Sequence, residues 1–190
     1  VGLINKDGSI APCKLQYCGG DFSRPETNEV ILQLTQAEQT FTFEDLKEQP
    51  VVSVLSGFSA PVKLTMERSL EELAFLLSYD SDTFNRWEAG QQLASQIISG
   101  LIADVQNSRE MQINPIIITA FKQVMDQSWD DLSYFSLLLS LPSETYLAEQ
   151  MQVVDVEAIH KAREFVMLTL AKQLQTQFQT LYLNNHRDES

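Results

Sequence analysis

The chain has 190 residues, 44% of them hydrophobic, enough for one domain or two small ones around a buried core, and that composition excludes intrinsic disorder. Its 13 Lys and Arg stand against 26 Asp and Glu, a net charge of -13, the wrong sign for a surface that tracks phosphates, so nucleic acid is not an expected partner. Two cysteines are too few for the disulfide framework of a small secreted domain. No apolar run approaches the roughly 18 residues that span a bilayer and no basic-then-apolar leader opens the chain, so the sequence reads as cytoplasmic, with no membrane partner.

Residues 1–66 read as β structure. Residues 1–4 and 10–17 flank Asn5-Lys6-Asp7-Gly8, whose Asp-Gly supplies the positive-φ positions of a tight hairpin turn. Val30-Ile31-Leu32 follows a polar loop, and residues 40–44 alternate with period 2, which predicts Phe41 and Phe43 on one buried face. Residues 51–55 and 62–66 complete the set, separated by Gly57 and Pro61, which break pairing. Five or six short strands make a sandwich or barrel fragment. The run 1–4 reads as the middle of a strand, so the chain is expected to be a piece cut from something longer.

The pattern changes at Ser69. Ser69-Leu70-Glu71-Glu72 is a capping box, in which hydroxyl and carboxylate each bond the other residue's amide, and it predicts a helix start. Leu70, Leu73, Ala74 and Leu77 then recur at helical spacing, and Asp80-Ser81-Asp82 closes this helix and caps a second over about residues 83–104. Asn114-Pro115 starts a third, Asp130 or Asp131 caps a fourth that Pro142 ends, and Ser143 starts a short fifth. Asp155 opens a last long helix to about Leu183, with Ile159, Ala162, Val166, Leu170, Leu174, Phe178 and Leu181 on one stripe. The Gln-rich run 173–179 keeps that spacing and reads as a solvated helix face. No fixed-period repeat is visible, although helical pairs of this length are what an α-solenoid uses.

Chemistry-bearing residues are sparse. His160 and His186 are the two histidines, and neither has a second histidine one helical turn away to converge on a metal, so His160 is expected at the surface and His186 in a frayed tail. Cys13 and Cys18 read as structural thiols, a facultative disulfide or half of a metal site that lacks a second ligand pair. Gly19-Gly20, Gly57, Gly90 and Gly100 fit no phosphate-binding loop. The carboxylate pairs Glu71-Glu72 and Asp130-Asp131 fall where helix starts recruit acids. Asn85-Arg86-Trp87-Glu88 admits two readings: a docking spot, or a core Trp87 beside an Arg86 that bonds loop carbonyls or Asp82. The expectation for catalytic, cofactor and metal residues in this chain is therefore none.

Thr35-Gln36-Ala37-Glu38-Gln39-Thr40-Phe41, Phe58-Ser59-Ala60-Pro61-Val62-Lys63-Leu64 and Asn85-Arg86-Trp87-Glu88-Ala89 resemble, in order, successive blocks of the bacterial aminopeptidase N family, alanyl aminopeptidases of the zinc gluzincin group. Leu141-Pro142-Ser143, then Val154-Asp155 with Ala158-Ile159, continue the resemblance to nearly the whole chain. It implies α+β architecture in sequential blocks: the later part of an immunoglobulin-like β-sandwich over residues 1–66, then the first helices of an all-α antiparallel domain over 67–190. It implies a parent that removes N-terminal residues from peptides with zinc, whose H-E-x-x-H, third glutamate, G-A-M-E-N motif and catalytic tyrosine have no matching position here. The segment is then architectural, helping to wall the active-site chamber, itself without zinc, and its partners are the parent's catalytic domain and remaining helices. The rival expectation is a free-standing β plus helical-array module that binds proteins or peptides. In the fragment reading, an unpaired edge beside residues 1–4 and the stripe from Val166 through Phe178 to Leu181 are left uncovered, which predicts self-association.

Overall fold

The computed structural model describes residues 1–12, 14, 15, 22, 23, 30–62 and 64–186. The chain divides into two compact units, Val1–Glu67 with Tyr79–Arg86, and Arg68–Ser78 with Trp87–Ser190.

In the first unit, short strands pair antiparallel over long sequence distances. The pairs are β1 (Gly2–Ile4) with β6 (Val51–Ser53), β2 (Lys14–Leu15) with β5 (Phe43–Glu44), and β3 (Phe22–Ser23) with β4 (Ile31–Leu32). Leu3 sits opposite Val52 in the first ladder. The expected hairpin turn is present: Gly8 takes φ 84°, Asn5 N donates to Ser9 O at 2.8 Å, and Ala11 N reaches Leu3 O at 2.7 Å. Gly8 is required there twice over, because a Cβ would also lie 2.5 Å from Cδ1 of the Tyr79 ring.

Three expectations for this unit change. The return of the hairpin covers the side of β1 away from β6, through the Ile4–Ile10 bridge and the Ala11–Leu3 bond, and Val1 exchanges two backbone bonds with Val30, so β1 is not an open edge. Phe41 and Phe43 share a face as period 2 demands, but that face is only half-buried. Among the described residues of 62–66 there is no strand, and Val62, Leu64 and Met66 are exposed. Pro61 withholds a donor and no described strand pairs with this stretch, so its β propensity has nothing to bond.

The helices start where the caps predict. Ser69 N donates to Glu72 Oε2 at 3.0 Å and Glu72 N to Ser69 Oγ at 3.1 Å, a complete capping box at the head of α1 (Leu70–Tyr79). Asp82 Oδ1 accepts from Asn85 N at the start of α2 (Thr83–Gln106), and Asn114 Oδ1 from Ile116 N at α3 (Pro115–Met125), whose first residue is the expected proline. Asp131, rather than Asp130, caps α4 (Leu132–Leu138) through the amides of Ser133 and Tyr134. Ser143 caps α5 (Glu144–Glu149) and Asp155 caps α6 (Val156–Gln173).

The long last helix is two helices. Leu174, at φ -110° and ψ 21°, leaves helical geometry and separates α6 from α7 (Gln175–Asn185). Its N–H still bonds Leu170 O and its carbonyl still accepts from Phe178 N, so the interruption at Leu174 needs neither proline nor glycine. The break at Leu174 divides the stripe: Ile159, Ala162, Val166, Leu170 and Leu174 are buried, whereas Phe178 is 39% exposed and α7 buries no side chain. Val166 is thus covered, contrary to the uncovered stripe expected from it, and the uncovered part begins only past Leu174.

The core of this unit is built from Leu73 and Leu77 of α1, Leu93 and Ile98 of α2, Ile117 and Val124 of α3, and Val166 of α6, all at essentially zero exposure. Gly90 permits close approach of α2 to α1, since a Cβ there would stand 3.1 Å from a Leu77 methyl.

Candidate functional site

The polar side chains of the helix starts are consumed by structure. Asp82 uses both oxygens, Oδ1 on Asn85 N and Oδ2 on Gly57 N at 2.8 Å. Asn85 Nδ2 donates to Ser53 Oγ at 3.1 Å and to Val54 O at 3.0 Å, so the first turn of α2 is bolted to the end of β6 within the first unit. Between these anchors the turn 55–58 is strained: Leu55 and Phe58 take φ 62° and 53°, the left-handed region that costs an L residue about 1–2 kcal/mol. Phe58 lies against Phe84 with ring centroids 4.5 Å apart. Phe58, Phe84 and Asn85 belong to or adjoin the quoted sequence blocks, and here they make a joint. Trp87 and Arg86 are half-buried.

A second joint surrounds residues 140–144 in the helical unit. Gln91, buried on α2, donates Nε2 to Ser140 O at 2.9 Å, and Arg163 of α6 donates Nε to Pro142 O at 2.8 Å. Ser143 Oγ then accepts from Tyr146 N to start α5. His160 is exposed as expected, and its Nδ1 lies 2.9 Å from Glu144 Oε1. That hydrogen bond, and then the Glu144 charge, raise the imidazole above its usual range. The bonds from Ala158 N and Gln106 Nε2 hold Asp155 below the usual carboxylate range. Burial, with the charges of Glu88 and Glu149, pushes the Tyr146 phenol up.

Glu71, Glu72 and Asp131 all sit at helix starts, with Glu72 and Asp131 in caps, and His186 stacks on Tyr182 one turn earlier, centroids 4.7 Å apart. Cys13, Cys18 and Gly19-Gly20 lie outside the described residues. Among the described residues no group of three or more His, Cys, Asp or Glu side chains could hold a metal ion, so they supply no ligand set that fits zinc. Gln91, Arg163 and Gln127, whose Nε2 bonds Ser78 O at 3.0 Å, carry ties that sequence reading missed, because their partners are backbone carbonyls 21 to 49 positions away and leave no pattern.

Two family models divide the chain between them. One, described as a domain of unknown function (DUF3458) with an Ig-like fold, matches residues 1–67. The other, a domain of unknown function (DUF3458_C) with ARM repeats, matches residues 70–190, well over half of the chain. The chain belongs to this DUF3458_C family. Its architecture is accordingly α+β in sequential blocks, an Ig-like part followed by an ARM-type helical part.

The chain is similar along its length to proteins named Aminopeptidase N. It is 35% identical to the one from Escherichia coli (strain K12), over 100% of this chain and 21% of that protein. It is 34% identical to the Caulobacter vibrioides protein, over 92% of this chain and 18% of that one, and 32% identical to the Haemophilus influenzae protein, over 80% and 18%. The chain therefore spans about a fifth of the length of the curated relatives it matches. A crystal structure of Legionella pneumophila aminopeptidase A in complex with aspartic acid matches 100% of this chain and 20% of that one, at a TM-score of 0.71 and 24% identity, which establishes likeness of fold. Among the described residues no helix is long and apolar enough to cross a membrane.

Proposed function

We propose that this DUF3458_C chain is the non-catalytic, architectural segment of a cytoplasmic zinc aminopeptidase of the alanyl aminopeptidase type. In this reading residues 1–66 are the later part of its β-sandwich, and residues 67–190 are the first part of the helical domain that helps wall its active-site chamber. The observation that carries it is that residues of the quoted blocks are spent on joints and caps. Asn85 grips Ser53 and Val54, Asp155 caps α6, and Ser143 caps α5, with Arg163 reaching back to the carbonyl of Pro142. The end-to-end similarity to Aminopeptidase N supports the parent assignment. In this reading the parent holds zinc in residues outside the chain, its peptide substrates meet those residues, and its catalytic domain and remaining helices are this segment's partners.

Elemental analysis and an aminoacyl-anilide assay on the purified 190-residue chain test the proposal. Neither stoichiometric zinc nor amine release is expected, because a hydrolytic zinc site needs three protein ligands and a general base. One tightly held zinc per chain, or turnover that survives a control purification, overturns it. Saturable peptide binding by the isolated chain would favour the interaction-module reading instead.

A further inference from the structure

The short helix α5 has six residues and buries one of its own side chains, Leu147, so it stays on α6 through a small set of ties. One is the bond from Arg163 Nε to Pro142 O, and Arg does not titrate near neutral pH. The other is ionisable. His160 Nδ1 stands 2.9 Å from Glu144 Oε1 on α5, while Nε2 stands 4.0 Å from Glu164 Oε2 on its own helix. A neutral imidazole can hold one N–H on Glu144 but carries no charge, whereas the imidazolium keeps that bond, makes it charge-assisted and adds a positive charge that faces both carboxylates.

We propose that His160 is a proton-operated latch for α5: on taking a proton from solvent, the ring keeps Nδ1 on Glu144 and gains a positive charge that attracts Glu144 and, at ion-pair distance, Glu164, drawing α5 onto α6 as the pH falls below neutral. The charged groups that face the ring are Glu144 from α5 and Glu164 and Arg163 from α6. The Glu144 hydrogen bond and then its charge raise His160; burial opposes this, Glu164 adds to the rise, and Arg163 also opposes it. Since the folded value is raised, the added stability is fully present below the unfolded value of about 6.5 and is lost as the pH rises through the folded one. The Arg163 tie persists throughout, so above that range α5 loosens rather than detaches.

Hydrogen exchange and proton NMR on the 190-residue chain test the latch. The amides of Tyr146 and Leu147 both bond Ser143, and they report on α5. Their protection, corrected for intrinsic exchange, is expected to rise about two- to fivefold from about pH 8 to about pH 5.5, the scale of an exposed ion pair. His160→Gln should abolish the rise, and Glu144→Gln should lower the His160 titration midpoint more than Glu164→Gln does. A rise that persists in His160→Gln, or a midpoint unmoved by Glu144→Gln, overturns the latch, and the second readout decides alone if His160→Gln does not fold.

Discussion

In the helical unit a contiguous set of leucines, isoleucines and valines from α1, α2, α3 and α6 is removed from water, whereas in the first unit the described core is Leu3, Ile4, Ala11 and Val30 beside ladders two or three residues long. What burial supplies in the one, specific polar ties supply in the other: Val1 with Val30, Lys6 N on Glu48 Oε1, Gly57 N on Asp82, and Asn85 on Ser53 and Val54. The two units should therefore respond to different injuries. A cavity should hurt the helical unit most, and a lost side-chain hydrogen bond should hurt the first unit out of proportion to its size.

The largest effect is expected from Leu93→Ala, which empties a fully buried site on α2 and should cost about 2–5 kcal/mol of helical-unit stability in urea unfolding followed by circular dichroism. A loss below about 1 kcal/mol would mean that the core collapses into the hole and is not close-packed there. Asn85→Ala comes next. It removes two bonds to the β6 region and should cost about 1–2 kcal/mol. The amides of Val51, Val52 and Ser53 should exchange faster while those of buried α3 residues hold steady. Equal acceleration in both places would erase the contrast between the units. Smallest is Ser69→Ala, which opens one side of the capping box and should lower stability by about 1 kcal/mol, read as a shift of the urea midpoint. An unchanged midpoint would place the energetic start of α1 downstream of Leu70.

Helix starts were legible from sequence because a cap bond spans two or three residues: Ser69 to Glu72, Asn114 to Ile116, Asp131 to Ser133 and Asp155 to Ala158 are each written within one short string. Strand partners were not. β1 pairs with β6 across nearly fifty residues, and nothing in the sequence after Pro61 announces that Val62, Leu64 and Met66 will be exposed, with no strand among the described residues of 62–66. The same limit hid the joints at Ser140 and Pro142, whose donors Gln91 and Arg163 look like any exposed helix residues, and the pairing of His160 with Glu144 across 16 positions.

Four features were readable from local stereochemistry or from residue types alone: the change from β to helical structure near Ser69, the capped helix starts, the Asp-Gly turn at Gly8 and the lack of a second histidine one helical turn from His160 or His186. The tertiary structure alone decided the break at Leu174, the burial of Val166 beside the exposure of Phe178, the two-sided pairing of β1 and the facing of His160 by two carboxylates. A periodic stripe records which face a helix would bury, but burial needs a neighbour, and where the neighbours stand is settled by packing among residues far apart in the chain.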